Sequence, residues 1–315
     1  MISLDISAVI TTHQRPVPLR RAVASAICQT YKAIEIIVVS DGRDPETDAL
    51  MAEMLALDAR IRYEVVDPPE GANAARNRGI ETARGEWVAF LDDDDEWLPD
   101  KLRKQKDAVR SDPEAGIVYT AMRAVYEDEK RSYAYRSPYS GDLSRRILLR
   151  NYVGATSTVL ARRASVIECG MFDCRMPARQ DYDLWIRLCQ ITRAAAVTDV
   201  CVNYFNERAN RQTSRDVSRY VEAFRLIEAK YAALYSGLTV RERREYEYNK
   251  CKTLAMKGLR NGNKKEARRY ALLALRCGIQ CGAPAKALEA LAYAAVSFFS
   301  FRTVLALRRM MNRDE

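Results

Sequence analysis

Four adjacent aspartates, Asp92–Asp95, are the strongest chemical feature of the sequence. They follow the apolar run Trp87–Leu91 and precede Trp97-Leu98-Pro99, so apolar residues flank the carboxylates on both sides. Neighbouring carboxylates repel one another unless a cation is bound or solvent screens them. Their hard oxygen atoms suit Mg²⁺ or Mn²⁺, particularly where substrate phosphates complete the coordination shell. We therefore predict a divalent-cation site; a solvated acidic turn, which would hardly need apolar flanks, is the alternative.

The cluster follows the last of four short apolar runs that indicate buried strands. These runs are Ile6–Ile10, Ile34–Val39, Ile61–Val66 and Trp87–Leu91. Between them, apolar residues at three- and four-residue spacing predict helices over Pro18–Cys28, Pro45–Leu57 and Asn73–Ala83. Alternating strands and helices predict an α/β fold with a parallel sheet. Because ligands of such sheets bind beyond the carboxyl ends of the strands, we expect the loops after these four runs to meet at one pocket.

The pattern changes twice in the rest of the chain. From Ala115 to about Asn206 it predicts a part that completes the sheet, with strands Gly116–Tyr119 and Thr158–Ala161 and helices Leu143–Arg150 and Asp181–Cys189. Beyond Asn210 it is almost wholly helical, with predicted helices Val217–Tyr235, Arg241–Leu259, Lys265–Cys277 and Pro284–Ser297. We therefore predict two domains, residues 1–210 and an all-helical C-terminal appendage, residues 211–315.

Composition limits the classes of partner. Lys and Arg outnumber Asp and Glu by 51 to 42, and the net charge of +9 suits phosphate ligands, anionic membranes or nucleic acid without choosing among them. The eight cysteines form no C-x-x-C pair and the chain has one histidine, which argues against a structural zinc site, and the thiols are expected to be reduced. No secretory signal is visible at the N-terminus, which predicts a cytoplasmic protein.

The longest apolar stretch near the C-terminus raises the question of membrane contact. Ala290–Phe301 is shorter than the roughly 18 to 20 apolar residues that span a bilayer, and Arg302 closes it. Together with Arg308 and Arg309 it has the composition of a basic amphipathic helix on an anionic membrane surface. A helix packed against its neighbours is the alternative.

An ordered set of motifs resembles the family 2 glycosyltransferases, which have the GT-A fold, a Rossmann-like and mostly parallel sheet flanked by helices. The similarity spans about Ser7 to Leu188. Its first four motifs are Ser7–Pro16, Ala26–Tyr31, Glu35–Gly42 and Gly71–Gly79, and the fifth, Ala83–Asp95, contains the aspartate cluster. Each motif alone is weak, whereas the ordered set is specific.

The resemblance implies a site for a nucleotide-sugar donor, with a UDP-sugar favoured. Asp41 would accept a hydrogen bond from the base of the donor. The other residues implied in nucleotide binding are Thr12, His13, Arg15, Arg76, Asp92 and Asp93. His13 and Gln14 stand where the family usually has tyrosine and asparagine, and Ser40 replaces a common aspartate, so the donor base is not fixed by the motifs.

The DxD signature of the family falls on Asp92 and Asp94. By resemblance, Asp94 would coordinate the metal that bridges the diphosphate, and Asp92 or Asp93 would contact the ribose or complete the metal shell. Mn²⁺ or Mg²⁺ would then stabilise the departing nucleoside diphosphate as a Lewis acid. No protein nucleophile is required.

Gln180–Leu188 is similar to the acidic motif of the family that opens a helix, and it identifies Asp181 as the expected general base. Gln180 replaces the usual glutamate, and Asp183 is the competing candidate. The helix dipole would keep Asp181 charged, and a capping aspartate is the alternative interpretation. A base on the acceptor side implies one direct displacement, so the sugar would be transferred with inversion.

The resemblance also suggests the acceptor and the rival functions. A saccharide or lipid-linked acceptor in the synthesis of cell-surface polysaccharide or glycolipid is expected, on a cytoplasmic enzyme that contacts the inner face of the cell membrane peripherally. No nucleic acid is expected. A nucleotidyltransferase is the first rival, but Thr11–Pro16 lacks the glycine of a phosphate loop. A sugar-nucleotide-binding or scaffold protein without turnover is the second, and the intact carboxylates argue against it.

Overall fold

The computed structural model describes residues 4–126, 130–205 and 217–298. The described residues fall into two compact units. The first contains most of the chain up to residue 205, and the second contains residues 217–298 together with the short segments Leu148–Arg150 and Met176–Arg179. The predicted domain boundary at residue 210 lies outside the described residues and stays a prediction.

The first half of unit one is a parallel sheet of four strands. In chain order these are β1 (Ile6–Thr12), β2 (Ile34–Asp41), β3 (Ile61–Val66) and β4 (Trp87–Asp92), and their order in the sheet is β3-β2-β1-β4. Helices α1 (Pro16–Ile27), α2 (Pro45–Leu57) and α3 (Ala72–Thr82) connect them. Every residue of β1 and β2 is buried, which explains why these strands are continuous apolar runs.

The second half extends the same sheet with mixed strand directions. Its elements are β5 (Glu96–Trp97), α4 (Lys101–Ser111), β6 (Ala115–Tyr126), β7 (Arg131–Tyr135), β8 (Val159–Arg162), α5 (Arg163–Glu168), α6 (Gln180–Ile191) and β9 (Arg193–Phe205). The sheet continues β4-β8-β6-β9-β5, with β7 paired to β6. Strand β8 is antiparallel to both of its neighbours, whereas β6 and β9 are parallel. The predicted α/β fold class is confirmed, with a mixed sheet beyond β4.

Two predicted helices differ from the structure. Only Arg146–Leu148 of the predicted helix Leu143–Arg150 is helical, as a single 3-10 turn, and the carbonyl of Ile147 accepts a hydrogen bond from the hydroxyl of Tyr182. The predicted helix Val217–Tyr235 is interrupted at Tyr231, giving α7 (Val217–Lys230) and α8 (Ala232–Ser236).

Unit two contains three successive helices, α9 (Val240–Arg260), α10 (Lys264–Gln280) and α11 (Pro284–Val296), which confirm the predicted helices to within a few residues. A side chain at Gly258 would bring its Cβ within 2.8 Å of the backbone nitrogen of Ala267, and one at Gly278 within 2.9 Å of that of Ala287. The close approach of α9 to α10 and of α10 to α11 therefore depends on glycine at these two positions.

No helix among residues 4–298 that the structure describes is long and apolar enough to cross a membrane. The predicted membrane-surface helix extends into residues 299–315, outside the described residues.

Candidate active site

The aspartate cluster lies beside the loop that follows β1. Strands β1 and β4 are parallel neighbours with Thr11 opposite Asp92, so their carboxyl ends lie side by side. The hydroxyl of Thr12 donates to Oδ2 of Asp93 at 2.7 Å. Arg15 spans two carboxylates, with Nη1 2.9 Å from Oδ1 of Asp93 and Nη2 2.9 Å from Oδ2 of Asp94. The fold thus joins two loops that are about 80 residues apart in the chain.

A second arginine reaches the same cluster from α3. Nη2 of Arg76 lies 2.7 Å from Oδ1 of Asp92, and its guanidinium carbon lies 5.5 Å from the centroid of the Phe172 ring. Arg76 is buried, so this ion pair is weakly screened by solvent. Three carboxylates of the cluster therefore contact two guanidinium groups.

The fourth aspartate holds the turn together. Asp95 is fully buried, accepts a 2.5 Å hydrogen bond from the hydroxyl of Ser157, and accepts another from the backbone nitrogen of Phe205 at 3.3 Å. Ser157 also accepts from the backbone nitrogen of Asp92 at 3.1 Å. Burial, followed by the charges of Asp94 and Asp92, raises the pKa of Asp95 well above its ordinary value. Asp95 is therefore a structural carboxyl of this turn.

Asp93 also has an altered acidity. Burial raises its pKa to about 7, against the opposing effect of Arg15, and the neighbouring charge of Asp94 raises it further. Near neutral pH this carboxyl is therefore divided between its charged and neutral forms. Donation from Thr12 favours the charged form and lowers the pKa.

Asp41 binds the backbone of the loop after β3. Its Oδ1 accepts from the backbone nitrogen of Glu70 at 2.8 Å, and both carboxylate oxygens accept from that of Gly71 at 3.0 Å. Nδ1 of His13 forms a short hydrogen bond with the carbonyl of Asp41. These bonds fix the entry to α3, and hence the position of Arg76. Contacts of Asp41 and His13 with a nucleotide stay a prediction.

The predicted base lies at the start of α6. Nδ2 of Asn151 is 3.5 Å from Oδ2 of Asp181, and Asn151 also donates to the carbonyl of Gly154 at 3.0 Å. That carbonyl accepts from Nε1 of Trp185 at 3.1 Å, and the Trp185 ring lies 6.4 Å from Phe90 of β4. Asp181 is partly exposed. These contacts connect the beginning of α6 to the strand that carries the aspartates.

Asp183, the competing candidate for the base, is buried in an ion pair. It is fully buried and its Oδ2 lies 2.7 Å from Nη2 of Arg187, one helical turn later. A carboxylate already paired inside the protein is poorly placed to take a proton from an acceptor. The geometry therefore favours Asp181 over Asp183, and the catalytic role itself stays a prediction.

Three residues of the site were not found from the sequence. Arg21 donates to the carbonyl of Asp94 at 2.9 Å and lies 3.6 Å above the Phe205 ring, yet nothing in its spacing distinguishes it from Arg20. Asn151 lies in a loop and Ser157 in the 3-10 turn Thr156–Thr158, and neither belongs to a recognisable motif. Only their contacts across the fold reveal them.

Asp92 and Asp94 are the candidate ligands of a divalent cation. Among the described residues, no group of three or more His, Cys, Asp or Glu side chains is arranged to hold a metal ion. Asp92 and Asp94 nevertheless provide hard oxygen donors with side chains that are 26% and 10% exposed. Their chemistry fits Mg²⁺ or Mn²⁺, and a cation would compete with Arg76 and Arg15 for them.

The carboxylates and arginines lie at the carboxyl ends of the parallel strands β1 and β4, which is where open α/β sheets of the Rossmann-like class bind nucleotides. The sequence profile described as Glycosyl transferase family 2 matches residues 7–171. The chain therefore belongs to glycosyl transferase family 2, which confirms the resemblance noted in the sequence.

Curated relatives agree with this family. An uncharacterized glycosyltransferase of Haemophilus influenzae is 23% identical over 275 residues, covering 84% of this chain and 88% of the relative. The uncharacterized glycosyltransferase RC0461 of Rickettsia conorii is 32% identical over 196 residues, which cover 59% of this chain but only 31% of that longer protein. The succinoglycan biosynthesis protein ExoO of Rhizobium meliloti is 38% identical over 100 residues, 32% of this chain and 28% of that protein.

Solved structures share the fold. TarS 1-349 of S. aureus in complex with UDP-GlcNAc has a TM-score of 0.61 at 14% identity, covering 93% of this chain and 91% of TarS 1-349. The mannosyltransferase PcManGT of Pyrobaculum calidifontis, in complex with GDP-Man and Mn²⁺, has a TM-score of 0.61 at 17% identity, covering 99% and 88%. At these identities the likeness establishes the fold alone.

Proposed function

We propose that this glycosyltransferase moves a sugar from a nucleoside diphosphate sugar, a UDP-sugar in the first instance, to a hydroxyl of an acceptor. The observation that carries the proposal is the meeting of Asp92–Asp94 with Arg15 and Arg76 at the carboxyl ends of β1 and β4. Guanidinium groups match the oxygens of a diphosphate. The similar folds were solved with UDP-GlcNAc and with GDP-Man, which supports this class of donor without choosing its base.

Asp94, with Asp92, would hold a divalent cation. When bound, Mn²⁺ or Mg²⁺ supplies Lewis-acid stabilisation of the negative charge on the departing diphosphate. Arg15 and Arg76 neutralise the same carboxylates in its absence and keep the turn in place. Mn²⁺ in the mannosyltransferase of similar fold supports this assignment.

Asp181 would accept the proton of the acceptor hydroxyl, and one displacement would invert the anomeric configuration. Its partial exposure and its contact with Asn151 are consistent with a base that a substrate can reach. Proton NMR of the first product formed tests the stereochemistry. A product that retains the anomeric configuration of the donor would exclude this role.

Turnover of nucleotide sugars with Mn²⁺ tests the assignment of the site. We expect Asp94→Asn and Asp181→Asn each to lower turnover by about 100-fold or more. Asp199→Asn is the matched control, because that carboxylate is 62% exposed and forms a surface ion pair with Lys104. Wild-type activity in Asp94→Asn would remove the metal assignment.

The acceptor and location remain part of the proposal. Likeness to the succinoglycan biosynthesis protein ExoO supports polysaccharide synthesis, with a saccharide or lipid-linked acceptor. We place the enzyme on the cytoplasmic side, in peripheral contact with anionic membrane through its basic C-terminal helices. The exposed leucines of α10 and α11 and the exposed arginines of α10 support that contact.

A further inference from the structure

Two tyrosines and an arginine form a cluster on the surface of unit one. The rings of Tyr139 and Tyr152 meet edge to face, with centroids 5.1 Å apart. The guanidinium carbon of Arg146 lies 4.1 Å above the centroid of Tyr139 and 5.7 Å from that of Tyr152. Tyr139 and Arg146 are exposed, so the cluster is accessible and does not belong to the core.

The cluster is attached to the predicted base on two sides. The hydroxyl of Tyr182, the residue after Asp181, donates to the carbonyl of Ile147 at 2.8 Å, and Ile147 directly follows Arg146. Asn151, which directly precedes Tyr152, contacts the Asp181 carboxylate at 3.5 Å. Both ends of the cluster are therefore held next to the beginning of α6.

The loop that carries Tyr139 is fixed to the sheet. The buried hydroxyl of Tyr119 on β6 donates to the carbonyl of Tyr139 at 2.5 Å. Gly141 and Ala194 on β9 exchange two backbone hydrogen bonds of 2.7 and 2.9 Å. Because both anchors are strand residues, the Tyr139 ring is presented on a rigid support, as a preorganised binding site requires.

The chain around the cluster carries mainly positive charge. The chain from Arg136 to Tyr152 contains four arginines and one carboxylate, Asp142, and all four arginines are exposed. Within the part of the chain that the structure describes, the guanidinium of Arg146 contacts two rings and has no carboxylate partner. Such a surface favours an anionic ligand.

We propose that Tyr139, Arg146 and Tyr152 form an acceptor subsite for an anionic saccharide. Tyrosine rings have an apolar face that packs on the C–H face of a sugar ring and a polar end that hydrogen-bonds its hydroxyls. Arg146 pairs with a carboxylate or phosphate of the acceptor, for which its planar donors are suited. This inference rests on the proposed transfer reaction and names the class of its acceptor.

Ligand-observed NMR titrations of the full chain, without donor, test the subsite. The probes are a uronate-containing tetrasaccharide, a sugar 1-phosphate and the neutral maltotetraose. We expect the wild type to bind one or both anionic probes more tightly than maltotetraose, and the two anionic arms distinguish a carboxylate from a phosphate. Arg146→Gln and Tyr139→Ala should each weaken that binding about tenfold or more.

Arg110→Gln is the matched control, because it removes another exposed arginine, on α4, and should leave binding unchanged. Circular dichroism of each variant checks that the fold is retained. Equal binding by wild type and Arg146→Gln, preference for maltotetraose, or no binding of either anionic probe would each overturn the subsite. Thermal stabilisation by UDP-sugars and Mn²⁺ is measured in parallel: if it is retained, only the acceptor inference fails, and if it is absent, the proposed function fails.

Discussion

At the scale of single residues, Arg15 forms ion pairs with two aspartates of the proposed cation site. The sequence placed it near a nucleotide, whereas in the structure its two terminal nitrogens hold Asp93 and Asp94. Its guanidinium thus supplies positive charge where a cation is proposed to bind. Since both need Asp94, Arg15 and the cation compete for one carboxylate.

Removing that competitor should strengthen cation binding. We expect Arg15→Gln to bind Mn²⁺ about 2- to 5-fold more tightly than the wild type in the absence of nucleotide, since a partly exposed ion pair of this kind contributes up to about 1 kcal/mol. Electron paramagnetic resonance of free Mn²⁺ measures the affinity directly. Arg103→Gln, which alters an exposed arginine on α4, is the control. Weaker Mn²⁺ binding by Arg15→Gln would show instead that Arg15 organises the site.

Lys101 is a buried lysine outside the site. It is fully buried, its Nζ donates to Oε1 of Gln105 at 2.8 Å, and it lies 4.2 Å above the Trp97 ring. Burial lowers its pKa to about 7. Between that value and the ordinary value near 10.5, the unfolded chain binds a proton that the folded chain does not, so folding stability rises with pH in this range.

Lys101→Met should remove this dependence on pH. We expect the free energy of unfolding of the wild type, relative to Lys101→Met, to increase between pH 7 and 10 by up to about 1.4 kcal/mol per pH unit. Urea denaturation at several pH values measures it. Lys104→Met is the control, because its hydrogen bond with Asp199 raises the pKa of Lys104 instead. A constant difference between wild type and Lys101→Met would contradict the neutral buried lysine.

At the scale of elements, close helix crossings in unit two depend on small residues. The turns after α9 and α10 repeat one arrangement, in which Gly258 faces Ala267 and Gly278 faces Ala287. In both pairs a side chain in place of the glycine would meet backbone atoms of the facing alanine, which cannot rotate away as a side chain can. The requirement therefore belongs to the pairing of helices and not to either helix alone.

Gly258→Ala should destabilise unit two despite the better helix propensity of alanine. We expect a loss of about 1–3 kcal/mol, because the added Cβ must displace the backbone of α10. Thermal unfolding followed by circular dichroism measures the change. Gly237→Ala is the matched control, since its Cβ would have ordinary contacts at 3.5 Å. Equal stability of the two variants would mean that α9 and α10 separate without cost.

At the scale of the whole molecule, the net charge of +9 and the exposed apolar side chains of α10 and α11 support binding to an anionic membrane surface. Leu288 and Leu291 on α11 are 62% and 51% exposed, and Ile279 on α10 is 64% exposed. Arg269 and Arg276 are exposed on α10 as well. Apolar groups flanked by basic ones are the composition that binds anionic lipid surfaces.

Flotation with vesicles tests this contact. We expect the full chain to float with vesicles of phosphatidylglycerol and phosphatidylcholine more than with phosphatidylcholine alone, and less at 1 M than at 0.1 M salt, where the screening length changes from about 10 to 3 Å. Leu288→Asp with Leu291→Asp should reduce flotation. Leu57→Asp, at an equally exposed leucine of α2, should not. Identical flotation of all variants would exclude α11 as the contact.

The sequence alone determined the order of strands and helices up to β4 and the position of the aspartates at a strand end. These follow from local patterns, since a fully buried parallel strand must be a continuous apolar run. Strand β9 escaped prediction because Ala194-Ala195-Ala196 has low strand propensity and forms a strand through pairing with β6. The helix predicted near Leu143 failed because tertiary hydrogen bonds determine the backbone there.

Only the tertiary structure decided which side chains share a site. Thr12 meets Asp93, Ser157 meets Asp95, and Tyr182 holds the turn beside Arg146, each across tens of residues of chain. It also distinguished Asp181, which is partly exposed, from Asp183, which is buried against Arg187. The physical reason is that burial and ion pairing depend on neighbours distant in sequence, whereas motifs and periodicity record only what lies nearby in the chain.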